Sequence, residues 1–193
     1  MPMRICNRFF IFLIPFFLIS MNTLKLKKEN SGVQVLSSDP NKISWDDSIK
    51  LKYTDFKGKV PIGTTWAAQT SSSINLVYGF TEDSLTSWSA NCFFDKTTSW
   101  IKTKTADVLN HEQLHFEIAE ITARILRKKI IETKYWGTSA RIKMEKYFNE
   151  VNNNGNDLQN AYDKETGHGT IKVKQTEWEL KIDSLLVSYN SFK

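Results

Sequence analysis

Apolar positions change their period partway along the chain. From Lys102 onward Val108, Leu109, Leu114, Ile118, Ile121, Ile125 and Leu126 recur at helical spacing. Thr105 or Asp107 can cap the start of that helix. It is expected to run to about Lys129, apolar around its middle like a central buried helix. A second helix is predicted from Thr138 to Val151, with Asn152-Asn153-Asn154-Gly155-Asn156 as a break. A third follows from Asp157 to Thr166, ended by Gly167 or Gly169. A last helix is predicted from Lys174 to Tyr189, with Trp178, Ile182, Leu185, Leu186 and Tyr189 on one side.

Before Lys102 the pattern is that of strands. Ile43 to Tyr53 shows mixed alternation around Trp45, Ile49, Leu51 and Tyr53. Pro61-Ile62-Gly63 reads as a turn, and Thr65 to Ala68, Ser73 to Phe80 and Leu85 to Phe94 carry the Val, Tyr, Thr and Phe content of strands. Thr81-Glu82-Asp83-Ser84 joins the last two as a hairpin. Strands first and helices after give an α+β class: an N-terminal antiparallel sheet, then a helical half.

The first 20 residues read differently. Arg4 and Arg8 precede an apolar run from Phe9 to Ile19, too short for a comfortable membrane span and suited to a secretory signal. Export to the periplasm or medium is therefore expected; Leu18 and Ser20 mark the cleavage site poorly, so an uncleaved anchor is the alternative. Residues 21–40 are polar and lysine-rich and read as a linker, leaving 41–193 as one domain. Loss of Arg4 and Arg8 lowers the net charge from +5 to about +3, too little to suggest nucleic acid. Cys6 falls in the signal, so the mature chain keeps only Cys92, within Ala90-Asn91-Cys92-Phe93-Phe94. No internal disulfide can form, and a core thiol is expected.

The candidate chemistry lies in Leu109-Asn110-His111-Glu112-Gln113-Leu114-His115-Phe116. On a helix, His111 and His115 share a face and can reach one metal ion. Glu112 lies about 100° round from His111 and can act as general base on a water at that metal. Two of the chain's three histidines are used here. The expected cofactor is Zn²⁺ and the expected reaction is hydrolysis of a peptide or protein substrate. A catalytic zinc usually takes a third protein ligand. The extended pattern with a third histidine six residues on is excluded, because Ile121 stands there. Glu117 and Glu120 are expected to point away, toward the surface. His168, beside Gly169 at a helix end, is the first candidate. Asp163 is the next, as ligand or as an outer partner of a ligand histidine. Glu132 is a weaker third. Tyr162 can donate to the oxyanion of a tetrahedral intermediate, or simply pack on the active helix.

The stretch Leu109 to Glu120, continuing to Ala123-Arg124, resembles a family of predicted secreted zinc-dependent proteases of bacteria, formally a domain of unknown function. The resemblance extends to Tyr162-Asp163-Lys164-Glu165-Thr166-Gly167-His168-Gly169 with Gln175 and Trp178, to Leu51-Lys52-Tyr53-Thr54-Asp55-Phe56-Lys57-Gly58, and to Ser99-Trp100. It spans about residues 43–190 and implies a zincin-like metallopeptidase of unspecified substrate. The alternatives are a zinc hydrolase acting on cell-wall peptides and a non-catalytic, zinc-stabilised binding module.

Overall fold

The computed structural model describes residues 39–193 except residue 83. The signal reading of residues 1–20 and the linker up to residue 38 lie outside the described residues. No helix among the described residues is long and apolar enough to cross a membrane.

The fold is α+β. Strands β1 (Lys42–Ser44), β3 (Ser72–Phe80) and β4 (Leu85–Asp95) form an antiparallel sheet in the order β1-β4-β3. Strands β2 (Ala68–Gln69) and β5 (Trp100–Ile101) pair separately, also antiparallel. Helices α1 (Ala106–Glu132), α2 (Ala140–Thr166) and α3 (Lys172–Ser188) follow. The hairpin β3–β4 runs in register from Ser72↔Phe94 to Gly79↔Ser87, with an irregularity at Gly79/Phe80. The strand expected over Ile43 to Tyr53 is only three residues long. Beyond Ser44 the chain turns, yet Trp45 and Leu51 are still buried, and Tyr53–Asp55 is a single 3-10 turn. Burial, rather than alternation, is what those apolar residues encode.

Helix α1 is the centre of the molecule. Thr105 caps it by accepting from Val108 N at 3.3 Å. Phe116, Ala119 and Ala123 pack on Phe94, Cys92, Phe56 and Trp45 from the strand half. Leu114, Ile118 and Ile121 pack on Tyr162, Trp178 and Ile182 of α2 and α3. Leu126 and Ile130 meet Ala90, Met144 and Val151. Cys92 is the expected core thiol, and burial raises its pKa well above the ordinary value.

Two expectations about α1 fail for one reason: both sides of the helix are covered. Glu120 is buried rather than surface-facing, held by Arg124 Nε and Arg127 Nη1, each at 2.9 Å. Glu117 is buried against Gln113 Nε2 (3.0 Å) and Lys50 Nζ (3.1 Å). The two arginines reach on: Arg124 to the Leu186 carbonyl (2.6 Å), and Arg127 to those of Ala90 (2.7 Å) and Phe192 (3.1 Å). Glu132 is the last residue of α1 and pairs with Lys128 at 2.5 Å. At about 1.5 Å per residue it lies roughly 30 Å along the axis from His111, which removes it as a ligand.

The break expected at Asn152–Asn156 does not form, and α2 is one helix of 27 residues. Gly155 is used for close approach. A Cβ there would stand 2.6 Å from Thr122 Cγ2 on α1. Asn153, Asn154 and Asn156 face solvent, so tertiary packing overrides their turn preference. This contact sets how near α2 comes to α1. Gly155→Ala gains about 1 kcal/mol at an open helix position, but here it should cost about 1–2 kcal/mol net through overpacking. Thermal denaturation should show a lower Tm for the single variant and recovery in Gly155→Ala with Thr122→Ala. A stabilised single variant would contradict the close-approach account.

Candidate metal centre

Two turns of α1 and two of α2 face each other at the site. Position 111 and position 115 lie on one face of α1. On α2, Gln159, Tyr162, Asp163 and Thr166 form one stripe, spaced three, four and seven residues from the first. His111 Nε2 and His115 Nε2 are 3.1 Å apart. Asp163 Oδ1 stands 3.1 Å from the first and 3.0 Å from the second. Atoms sharing a tetrahedral zinc at about 2.0–2.1 Å stand about 3.3 Å apart. Among the described residues this is the one compact group of metal-ligating side chains.

The outer contacts decide which atoms the histidines present. His115 Nδ1 lies 2.5 Å from Gln159 Oε1, while Gln159 Nε2 donates to the His115 carbonyl at 2.9 Å. The second bond fixes the amide orientation, so the first makes Nδ1 the protonated nitrogen of neutral His115. His111 Nδ1 lies 3.2 Å from Gln175 Oε1, and Gln175 Nε2 donates to Tyr162 Oη at 2.8 Å. With Nδ1 donating to these amide oxygens, each imidazole would turn an Nε2 lone pair toward the Asp163 carboxylate in its neutral form. Three acceptors converge on one point, which is the donor set of a divalent cation.

Charge acts accordingly. Burial alone would lower the His115 pKa, but the Asp163 hydrogen bond and the charges of Glu112 and Asp163 leave it above the ordinary imidazole value. Burial would raise the Asp163 pKa, but His111 and His115 hold its carboxyl far below the usual carboxylate range.

Helix α2 ends by delivering these groups. Gly167, His168 and Gly169 all have left-handed backbone, at φ 55°, 53° and 78°. Gly169 lies against the His111 ring, where a Cβ would stand 3.0 Å from Cγ. Buried Thr166 accepts from Gly169 N at 3.2 Å and so ties the turn.

His111 and Glu112 are buried, and one carboxylate oxygen of Glu112, Oε2, is buried with no hydrogen-bond partner. Asp163, not His168, completes the compact group. His168 is its neighbour: Nδ1 is 3.4 Å from Asp163 Oδ1, the side chain is 54% exposed, and the ring meets Trp66 edge-on at 4.7 Å. Tyr162 is fully buried and packs on the helix that carries the histidines. Its ring stacks on His111 at 4.6 Å, and its hydroxyl lies 3.3 Å from the His111 carbonyl. Burial raises its pKa, keeping the hydroxyl protonated. Gln159, Trp66 and Thr70, whose Oγ1 donates to the Glu112 carbonyl at 3.2 Å, were not singled out from sequence. The stripe shared by Gln159 and Asp163 was the available signal for the first.

A model of the family described as bacterial protein of unknown function (DUF922) matches residues 57–169, more than half of the chain. The chain belongs to this family. The DUF922 match runs from before β2 to Gly169, so it contains both histidines, Gln159, Asp163 and His168, while Gln175 lies beyond it. The family description assigns no chemistry. No curated protein and no solved structure matches the chain.

A divalent cation held by this group would compete with protons for the same Nε2 atoms, and the raised His115 pKa strengthens the proton. Zinc affinity should therefore fall as pH drops from about 8 to 5, most steeply below that raised value. Competition with a chromophoric chelator measures it. A pH-independent affinity would contradict the donor set.

Proposed function

We propose that this protein is a zincin-like zinc metallopeptidase. The supporting observation is the buried Glu112 carboxylate, with Oε2 unpartnered, on the helix that also carries two thirds of a His-His-Asp group. A buried polar atom without a partner costs free energy, so it is retained where it has work to do. A structural site needs ligands but no base.

In this reading His111, His115 and Asp163 hold Zn²⁺. When bound, the metal supplies Lewis acidity and a water acidified to a pKa of about 7. Glu112 takes the proton of the attacking water and passes it to the leaving amine. Gln159 and Gln175 hold the imidazoles through Nδ1, Tyr162 stacks on the His111 ring and Gly169 packs close against it. A base on the same helix as a Lewis acid would supply what hydrolysis of a peptide bond needs. The zinc-stabilised binding module is the second reading, and the nearness of His168 to Asp163 favours it, since His168 would then close the coordination as a fourth ligand.

The variant Glu112→Gln separates chemistry from binding. It should keep one zinc per chain by elemental analysis and lose at least about 10²-fold in hydrolysis of unfolded protein or a peptide library. Loss of zinc would make Glu112 a ligand or folding residue; unchanged hydrolysis would sink the mechanism.

A further inference from the structure

The four polar side chains at the site grade from covered to open. His111 is 7% exposed, His115 14%, Asp163 25% and His168 54%. Solvent therefore reaches the group from the Asp163 and His168 side. Trp66 stands on that side, its indole edge-on to His168, and it remains 54% exposed. Single exposed apolar side chains are ordinary. Trp66 differs in two respects.

First, it touches His168, which in turn touches Asp163, so its open face is one side chain from the candidate ligands. His168 is held there by left-handed backbone between two glycines, a conformation that strains a non-glycine residue. Second, the segment presenting Trp66 is tied down along its length. Trp66 N donates to Thr64 Oγ1 (3.2 Å), and Lys102 Nζ to the Thr64 carbonyl (2.9 Å). The Ala67 carbonyl accepts from Lys102 N (2.8 Å) and Thr103 N (3.0 Å). Ala68 and Gln69 pair with Ile101 and Trp100, and Thr70 bonds the carbonyl of Glu112 itself. A large flat apolar surface is thus fixed at the mouth of the site and registered against both Glu112 and Asp163. Surface that is ordered in advance gives more of its burial as affinity.

We infer that Trp66, backed by His168, is the recognition wall for a large apolar or aromatic side chain of a peptide substrate, adjacent to the bond that is cut. This rests on the metallopeptidase reading and adds a substrate class to it. The indole face offers dispersion and offset stacking but no charge, so aromatic and branched apolar residues gain most. A pocket of this kind discriminates by about 10-fold or more, equal to about 1.4 kcal/mol.

Hydroxamates bind a metal whether or not a peptide is cut, and so test the wall apart from turnover. Titration calorimetry on the zinc-loaded chain should give phenylalanine hydroxamate at least about 10-fold tighter binding than glycine hydroxamate. Trp66→Ala should bring that ratio near one with acetohydroxamate binding unchanged, and Trp66→Phe should restore most of it. Equal binding of the two probes by the wild type, or a ratio that survives Trp66→Ala, would overturn the wall while peptide cleavage still supports the peptidase reading. Failure of acetohydroxamate to bind would overturn both.

Discussion

The middle of helix α1 is almost entirely buried, yet it carries His111, Glu112, Gln113, Glu117, Glu120, Thr122, Arg124 and Arg127 as buried polar residues. Burying such groups is costly unless each finds a partner, and partners must come from other elements. The arrangement of the rest of the chain answers that demand. Gln113 accepts from Leu51 N at 2.8 Å and so fixes the loop after β1. Glu120 gathers two arginines, which clamp β4 and the carbonyls of the C-terminal residues. Ion pairs of this kind add little net stability, but removing one member costs several kcal/mol, so they specify which segments lie against α1.

The same demand builds the site. At the N-terminal half of α1 the partners are Gln159 and Asp163 from α2 and Gln175 from α3, drawn in by two glycines. Gly155 lets α2 approach Thr122, and Gly169 lets the turn after α2 lie on the His111 ring. The result is a group in which each imidazole has one nitrogen spoken for and the other left with its lone pair. Glu112 Oε2 is left without a hydrogen-bond partner, and in the proposed reading it meets the attacking water.

Much of this was legible in the sequence, for identifiable reasons. Long elements with a steady period, α1 and the hairpin β3–β4, follow directly from side-chain alternation. The pair His111 and His115 follows from helix geometry alone. The Asn-rich stretch misled because turn preference is local, whereas the packing of Gly155 on Thr122 is a contact between helices. Glu117 and Glu120 misled because a helix wheel shows direction but not what covers each side. Asp163 ranked behind His168 because residue type favours histidine as a zinc ligand. The helix stripe it shares with Gln159 carries the geometry, and the left-handed turn that leaves His168 half-exposed is written only in its flanking glycines.

The central claim is that His111, His115 and Asp163 hold one zinc and leave a position open. Zinc-edge X-ray absorption on the stoichiometrically loaded chain reports the coordination shell directly. The account predicts two imidazoles and two oxygen ligands, one from a carboxylate and one from solvent. A shell of three imidazoles and a carboxylate, with no solvent oxygen, would contradict it, as would a chain that takes up no stoichiometric zinc.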